Sequence, residues 1–154
     1  VAGFEANGGF LLGSNLENED RQLAALPTRD ALLPALTLMV MAAQHAVPLS
    51  ELIAELPTRY TASDRLKDFA TEKSHALLAK WQASPELMQQ ALGLQGDITD
   101  INTTDGLRAT LDNGDIVHLR PSGNAPELRC YSESTSQAQA SSLVKQSLDA
   151  LTKI

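Results

Sequence analysis

The chain has 154 residues, of which 43% are hydrophobic and 20% are charged, and its formal net charge is −7. This composition is typical of a folded globular protein and excludes a disordered chain. The acidic balance argues against a nonspecific nucleic-acid binder, because such proteins need a basic surface that replaces counterions. A small phosphate ester remains compatible with it, since a few cations and backbone N–H groups can converge locally.

Four further features bear on the class of protein. The longest apolar stretch, residues 31–43, is interrupted by Pro34 and is too short to cross a bilayer, so no membrane partner is expected. A single cysteine, Cys130, excludes an internal disulfide and suits the cytoplasm, and we expect it to be buried and inert. The three histidines lack metal-ligand spacing. The chain begins without Met on a glycine-rich loop, which indicates a piece of a longer protein.

The first third of the chain predicts a strand followed by helices. The apolar run at residues 10–12 predicts a short buried strand behind a glycine-rich loop. A helix is expected from Asp30, its N-cap, to about residue 46, and its apolar residues on all sides predict deep burial. A second short helix, residues 50–56, should end at Pro57.

The middle of the chain predicts a connection and then two more helices. Residues 57–70 read as a connection in which residues 59–61 could be a short extended piece and residues 63–64 a turn. We place a domain boundary near residue 60, dividing the chain into residues 1–58 and 59–154. One helix is expected over residues 71–81. Another should begin at residues 84–86, where Ser, Pro and Glu form a strong helix start, and end at Gly93.

The last third predicts a small sheet and a final helix. Its four expected strands are residues 98–103, 107–111, 116–119 and 127–133. Asn113-Gly114 is the strongest short hairpin signal among them. The last helix should begin at Ser134, with Gln137 completing a capping box. The expected fold class is therefore α+β, with a four-stranded, mostly antiparallel sheet packed by helices.

Residues 120–129, which read RPSGNAPELR, carry the most chemistry. Ser, Gly and Asn favour a turn whose successive N–H groups point into one concavity and bind an anion. Arg120 can grip two phosphate oxygens at once, while the Ser122 hydroxyl and the Asn124 amide can donate as well. The same residues also suit an ordinary surface turn in which Arg120 pairs with Glu127. The residues alone leave both interpretations open.

A second loop, residues 3–9, sets a carboxylate and an amide among glycines. Glu5 can accept from two adjacent hydroxyls, and Asn7 can donate and accept, which is how proteins bind sugar hydroxyls. An acidic surface loop has the same composition, so this interpretation also stays open.

Together these loops resemble the α-D-phosphohexomutase family. Residues 120–129 are similar to its phosphate-binding loop, an Arg-x-Ser-Gly-Thr-x-Pro pattern followed by an Arg and an acid, here Arg129 and Glu133. Residues 5–9 resemble its sugar-recognition loop, usually Glu-x-Ser-Gly-His. Residues 26–31 and 60–66 are also similar to bacterial phosphomannomutases of this family.

The resemblance implies a fold, a reaction and a set of site residues. Residues 1–58 would be the second half of the family's α/β third domain, and residues 59–154 its fourth domain. A phosphoserine and a Mg²⁺ loop, both outside this chain, would transfer phosphate between mannose 6-phosphate and mannose 1-phosphate through a hexose 1,6-bisphosphate. The residues implied to hold the substrate phosphate are Arg120, Ser122, Gly123, Asn124 and Arg129. Those implied to bind the sugar are Glu5, Asn7 and Gly8.

The sequence departs from the family pattern at three positions: Asn124 replaces Thr, Asn7 replaces Ser, and Gly9 replaces His. No catalytic or metal-binding residue is expected in the chain, so by itself it should be inactive.

The expected partners of the chain are the phosphosugar and the remaining domains of the same protein. Two alternatives remain, a non-catalytic sugar-phosphate-binding module and a mutase that prefers glucose phosphate.

Overall fold

A computed structural model describes residues 1–4, 9–54 and 56–154 of the chain. They divide into two compact units, Val1–Pro57 and Thr58–Ile154. None of the helices in these ranges combines the length and the apolar character that a membrane span requires.

Within the first unit, the described residues form short strands followed by two helices. These elements are β1 (Ala2–Phe4), β2 (Phe10–Leu12), β3 (Leu16–Asn18), β4 (Arg21–Leu23), β5 (Leu26–Asp30), α1 (Leu32–His45) and α2 (Leu49–Ala54). Strand β2 lies between β1 and β5 in an antiparallel sheet, and β3 pairs with β4. The strand predicted at residues 10–12 is therefore confirmed.

Helix α1 begins one residue later than its sequence predicts, with Ala31 at the N-cap position, and it is not buried. The Asp30 carboxylate accepts hydrogen bonds from the backbone N–H groups of Leu32 and Leu33, at 2.8 and 3.0 Å. The prediction of deep burial is wrong, because no residue of α1 is buried. Leu36 and Met39 are 53% and 52% exposed. The described strands and α2 leave most of the helix's apolar surface uncovered.

The second unit is an antiparallel sheet packed by three helices. Its elements are β6 (Tyr60–Lys67), α3 (Thr71–Ala83), α4 (Pro85–Leu92), β7 (Ile98–Asn102), β8 (Leu107–Leu111), β9 (Ile116–Pro121), β10 (Glu127–Ser134) and α5 (Gln137–Leu151). The strand order is β6-β10-β9-β8-β7, and all four pairings are antiparallel. The α+β fold class is confirmed.

The sheet has five strands and not the four that were predicted. Strand β6 replaces the linker and turn expected at residues 57–70, and it pairs with β10 over its full length. It is an edge strand, so most of its residues are exposed and only Ala62 and Leu66 pack against the core. Its polar sequence lacks the apolar alternation of an inner strand.

One face of this sheet packs against the helices and forms the core. Its buried members are Leu107, Ala109, Leu111, Val117, Leu119, Leu128 and Cys130, which meet Trp81, Met88, Leu92, Leu143 and Leu151 of the helices. Each large side chain buried in this way contributes roughly 1.5–3 kcal/mol. The opposite face, here called the open face, is polar. It carries Arg65, Arg108, His118, Arg120, Arg129, Tyr131 and Glu133.

The start of α5 differs from its prediction by two residues. The Ser136 hydroxyl accepts from the backbone N–H of Gln139 at 3.2 Å and caps the helix. Ser134, the predicted cap, is instead the last residue of β10 and is fully buried. The strand continues further than expected because Ser134 still pairs with Tyr60 of β6.

Candidate functional site

The loop between β9 and β10 is closed by two backbone hydrogen bonds. The Ser122 N–H donates to the Glu127 carbonyl at 2.9 Å, and the Glu127 N–H donates to the Ala125 carbonyl at 2.7 Å. These bonds fix residues 122–126 as a narrow loop at the end of the hairpin. Ser122 is buried at its base, so its N–H group is not available to an anion.

The middle of the loop presents free backbone donors. Within the described ranges, the N–H groups of Gly123 and Ala125 donate to no protein atom. The Asn124 N–H reaches only the Ser122 hydroxyl, at 3.5 Å, which is the far limit for a hydrogen bond. Because Gly123 and Asn124 are exposed, a small anion can approach these N–H groups from solvent.

Gly123 is not required by the loop's own backbone. Its φ does not lie in the left-handed region. A Cβ atom added there would meet no described atom within 4 Å. The absent side chain therefore leaves open space beside an unpaired N–H, which is the arrangement that a closely approaching ligand needs.

Two arginines lie at the base of the loop. Arg120 and Arg129 are directly opposite each other on adjacent strands and share the open face. Arg120 pairs with Asp105, its Nε lying 3.1 Å from Oδ1, and not with Glu127 as the surface-turn alternative required. Arg129 forms no ion pair with any residue in the described parts of the chain. Both guanidinium groups keep donors for an anion.

A third arginine, Arg65, extends this row onto β6, where it lies opposite Arg129. Like charges directly opposite each other in a sheet are destabilising. Glu127 offsets part of the repulsion, since its Oε1 lies 3.6 Å from Arg65 Nε. An open recess of about 320 Å³ is lined by Ser63, Asp64, Arg65, Arg129 and Tyr131. Sequence reasoning missed Arg65 because residues 57–70 read as a linker.

Cys130 belongs to the core beneath the site and not to its chemistry. It is fully buried, and burial raises the pKa of its thiol to about 12. The neighbouring Ser147 hydroxyl lowers the pKa and opposes this shift, while the nearby Asp64 adds to it. The predicted burial of Cys130 on a strand is confirmed.

The predicted sugar-binding residues Glu5, Asn7 and Gly8 lie outside the described residues. The described ranges also contain no group of three His, Cys, Asp or Glu side chains able to hold a metal ion.

Known proteins match this chain over nearly its whole length. Residues 52–150 match the phosphoglucomutase/phosphomannomutase C-terminal domain. A phosphomannomutase of Salmonella muenchen is 49% identical over 94% of the chain, and one of Sinorhizobium fredii is 41% identical over 98%. A probable phosphoglucosamine mutase of Methanothermobacter thermautotrophicus is 33% identical over 72% of the chain and 23% of its own length. The chain spans 30–32% of the two phosphomannomutases. It belongs to the phosphoglucomutase/phosphomannomutase family and contains that family's C-terminal domain.

Proposed function

We propose that this chain is the C-terminal substrate-binding part of a phosphomannomutase. The longer protein would interconvert mannose 6-phosphate and mannose 1-phosphate through a hexose 1,6-bisphosphate. A phosphoserine and a Mg²⁺ site, both outside this chain, would carry out the transfer. The choice of mannose rests on the two phosphomannomutases at 41% and 49% identity. The chain spans 30–32% of the length of these two phosphomannomutases, which supports its being one part of such an enzyme.

Within that enzyme, the β9–β10 loop would hold the phosphate that is not being transferred. The observation that carries this proposal is the unpaired Gly123 N–H with open space beside it, at a loop based on Arg120 and Arg129. Backbone N–H groups would bind two or three oxygens, and a guanidinium can add a bidentate contact. Ser122 would shape the loop, and the Asn124 amide would replace the hydroxyl of the family's usual Thr as a donor. Because catalysis of phosphoryl transfer is mostly positioning and charge stabilisation, such a grip orients the other end of the sugar.

We also assign the first unit to the second half of the family's α/β third domain. Helix α1 supports this, since a helix that is apolar all round is normally covered on several sides. The remaining domains of the same protein would supply that cover. Glu5, Asn7 and Gly8 would then bind the sugar hydroxyls.

A mutase assay on the longer protein tests the proposal. Mannose 1-phosphate and glucose 1-phosphate should be compared as substrates with Mg²⁺ present. We expect both to be converted, with the higher kcat/KM for mannose. A higher kcat/KM for glucose phosphate would make the enzyme a glucose-preferring mutase.

The rival function, a non-catalytic binding module, is tested on the 154-residue chain alone. Calorimetry with mannose 1-phosphate should show weak binding or none, because most of the ligand's contacts would come from other domains. Micromolar affinity of the chain, together with no mutase activity in the longer protein, would favour the module.

A further inference from the structure

The turn between β7 and β8 lies directly against β9. Gly106 in this turn has a φ of +86°. A Cβ atom placed on it would lie 2.3 Å from the Leu119 carbonyl oxygen and 3.0 Å from the Arg120 Cα. Glycine is therefore required here for two reasons, the left-handed backbone and the close approach. The result is that the turn lies beside Arg120.

Two further contacts hold the turn in place. His118 Nε2 contacts the backbone carbonyl oxygen of Asp105, and the His118 ring lies 5.4 Å from the Tyr131 ring, centre to centre. Within the turn, the Thr104 N–H donates to the Asn102 side-chain oxygen at 2.9 Å. The position of Asp105 is therefore set by the sheet and not by its own ion pair alone.

The Asp105 carboxylate meets one edge of the Arg120 guanidinium. Its Oδ1 lies 3.1 Å from Nε, while neither Nη atom forms a hydrogen bond with any residue that the structure describes. The contact is an ion pair, and no guanidinium N–H of Arg120 donates a hydrogen bond to a residue that the structure describes, so the Nη edge keeps its donors for a ligand. We propose that Asp105 is a positioning residue of the phosphate site: it orders Arg120 so that the Nη edge is ready for the substrate phosphate. This inference rests on the phosphate-binding function proposed above.

The alternative to a positioning role, a contribution of the ion pair to folding stability, is weaker. The side chains of Arg120 and Asp105 are 41% and 65% exposed, and exposed ion pairs contribute little to folding stability. A carboxylate next to an anion site also repels the ligand. Asp105 favours binding if the ordering of the long, flexible Arg120 side chain outweighs this repulsion. We expect the net gain in affinity to be roughly two- to tenfold.

The test is steady-state kinetics of the longer mutase with mannose 1-phosphate. Asp105→Ala should raise KM by roughly two- to tenfold and leave kcat nearly unchanged, because the phosphate is held in the ground state as well as in the transition state. Asp105→Glu should restore most of the affinity, since a longer carboxylate on an exposed turn still reaches Nε. The matched control is Asp100→Ala, which removes the same charge from exposed strand β7, where Asp100 has no partner among the described side chains.

A double-mutant cycle separates this inference from the function on which it rests. In an Arg120→Ala background, Asp105→Ala should raise KM no further, because the residue that it positions is gone. Additive effects, or an equal rise in KM for Asp100→Ala, would overturn the positioning role while leaving the phosphate site intact. An unchanged KM in Arg120→Ala alone would overturn the phosphate site itself.

As a readout independent of substrate, the Nε–H signal of Arg120 in NMR spectra should be sharp in the wild type and broadened by Asp105→Ala. A signal that is equally sharp in both proteins would also contradict the positioning role.

Discussion

Arg120 and Arg129 are direct cross-strand neighbours on the open face, at the base of the β9–β10 loop. Two guanidinium groups at opposite positions repel each other, so the pair does not serve sheet stability. Asp105 compensates Arg120, whereas Arg129 has no counter-ion in the described parts of the chain. An anion bound between the arginines and the free Gly123 N–H would relieve the repulsion. This electrostatic relationship is the physical basis of the proposed phosphate site.

We expect Gly123→Ala to weaken substrate binding without destabilising the fold. The added methyl occupies the space beside the Gly123 N–H, so a lost charged hydrogen bond of about 1.5–3 kcal/mol should appear as a higher KM for mannose 1-phosphate. The backbone there suits alanine, and restricting the unfolded chain should raise the free energy of unfolding by about 0.4–1 kcal/mol. Unchanged kinetics in this variant would show that no ligand approaches the loop at Gly123.

Gly106→Ala should have the opposite effect on stability. Its left-handed φ and the overlap with Leu119 should lower the free energy of unfolding by roughly 1–3 kcal/mol. Urea unfolding of the 154-residue chain, followed by tryptophan fluorescence, measures this loss. Trp81 is the only tryptophan in these 154 residues and is buried in the second unit. If this variant were as stable as the wild type, the turn would not lie against β9 as described.

The start of α5 gives a matched pair of serine variants. Ser136→Ala removes the cap on the Gln139 N–H and should cost about 0.5–2 kcal/mol. Ser134→Ala should be neutral or stabilising, because the buried Ser134 hydroxyl has no hydrogen-bond partner in the described chain. Urea unfolding of both variants decides which serine caps the helix. A larger loss of stability in Ser134→Ala than in Ser136→Ala would show that Ser134 is the cap.

Cys130 should make stability fall at alkaline pH. Its folded pKa, about 12, lies above the ordinary value of 9.0, so between those pH values the unfolded chain loses the proton while the folded chain keeps it. The contribution of this group to the free energy of unfolding should therefore decline by about 1.4 kcal/mol per pH unit above pH 9. The difference in slope between the wild type and Cys130→Ala isolates that effect from other titrating groups. Parallel slopes would mean that the thiol ionises equally in both states.

Local signals in the sequence predicted most of the second unit. Helix α4 begins at Pro85 and ends before Gly93, as the Ser-Pro-Glu start and the glycine indicate, and Asn113-Gly114 lies in the β8–β9 hairpin. These features succeed because short-range backbone preferences determine them. Strand β6 was missed because pairing with β10 stabilises it, and its own residues are polar.

The details of the site depend on contacts that no spacing reveals. The sequence predicted a phosphate site at Arg120 and its loop, and it offered Glu127, seven residues away, as the ion-pair partner only if the loop were an ordinary surface turn. The actual partner, Asp105, comes from a different turn that Gly106 allows to approach β9. In the same way, Glu127 lies near Arg65, a residue from the missed strand. Non-local pairs of this kind follow from the strand order, which the sequence did not predict completely.

The most direct test of the proposed phosphate site is the KM of Arg120→Ala in the longer protein, the proposed mutase, measured with mannose 1-phosphate beside Arg108→Ala. Arg108 lies on the same face and pairs with Glu133 at 3.7 Å, away from the loop. Loss of the Arg120 guanidinium should weaken substrate binding by about 1.5–3 kcal/mol, roughly 10- to 150-fold in KM, with little change in Arg108→Ala. Equal KM values for Arg120→Ala and the wild type would contradict the assignment of this loop as the phosphate site.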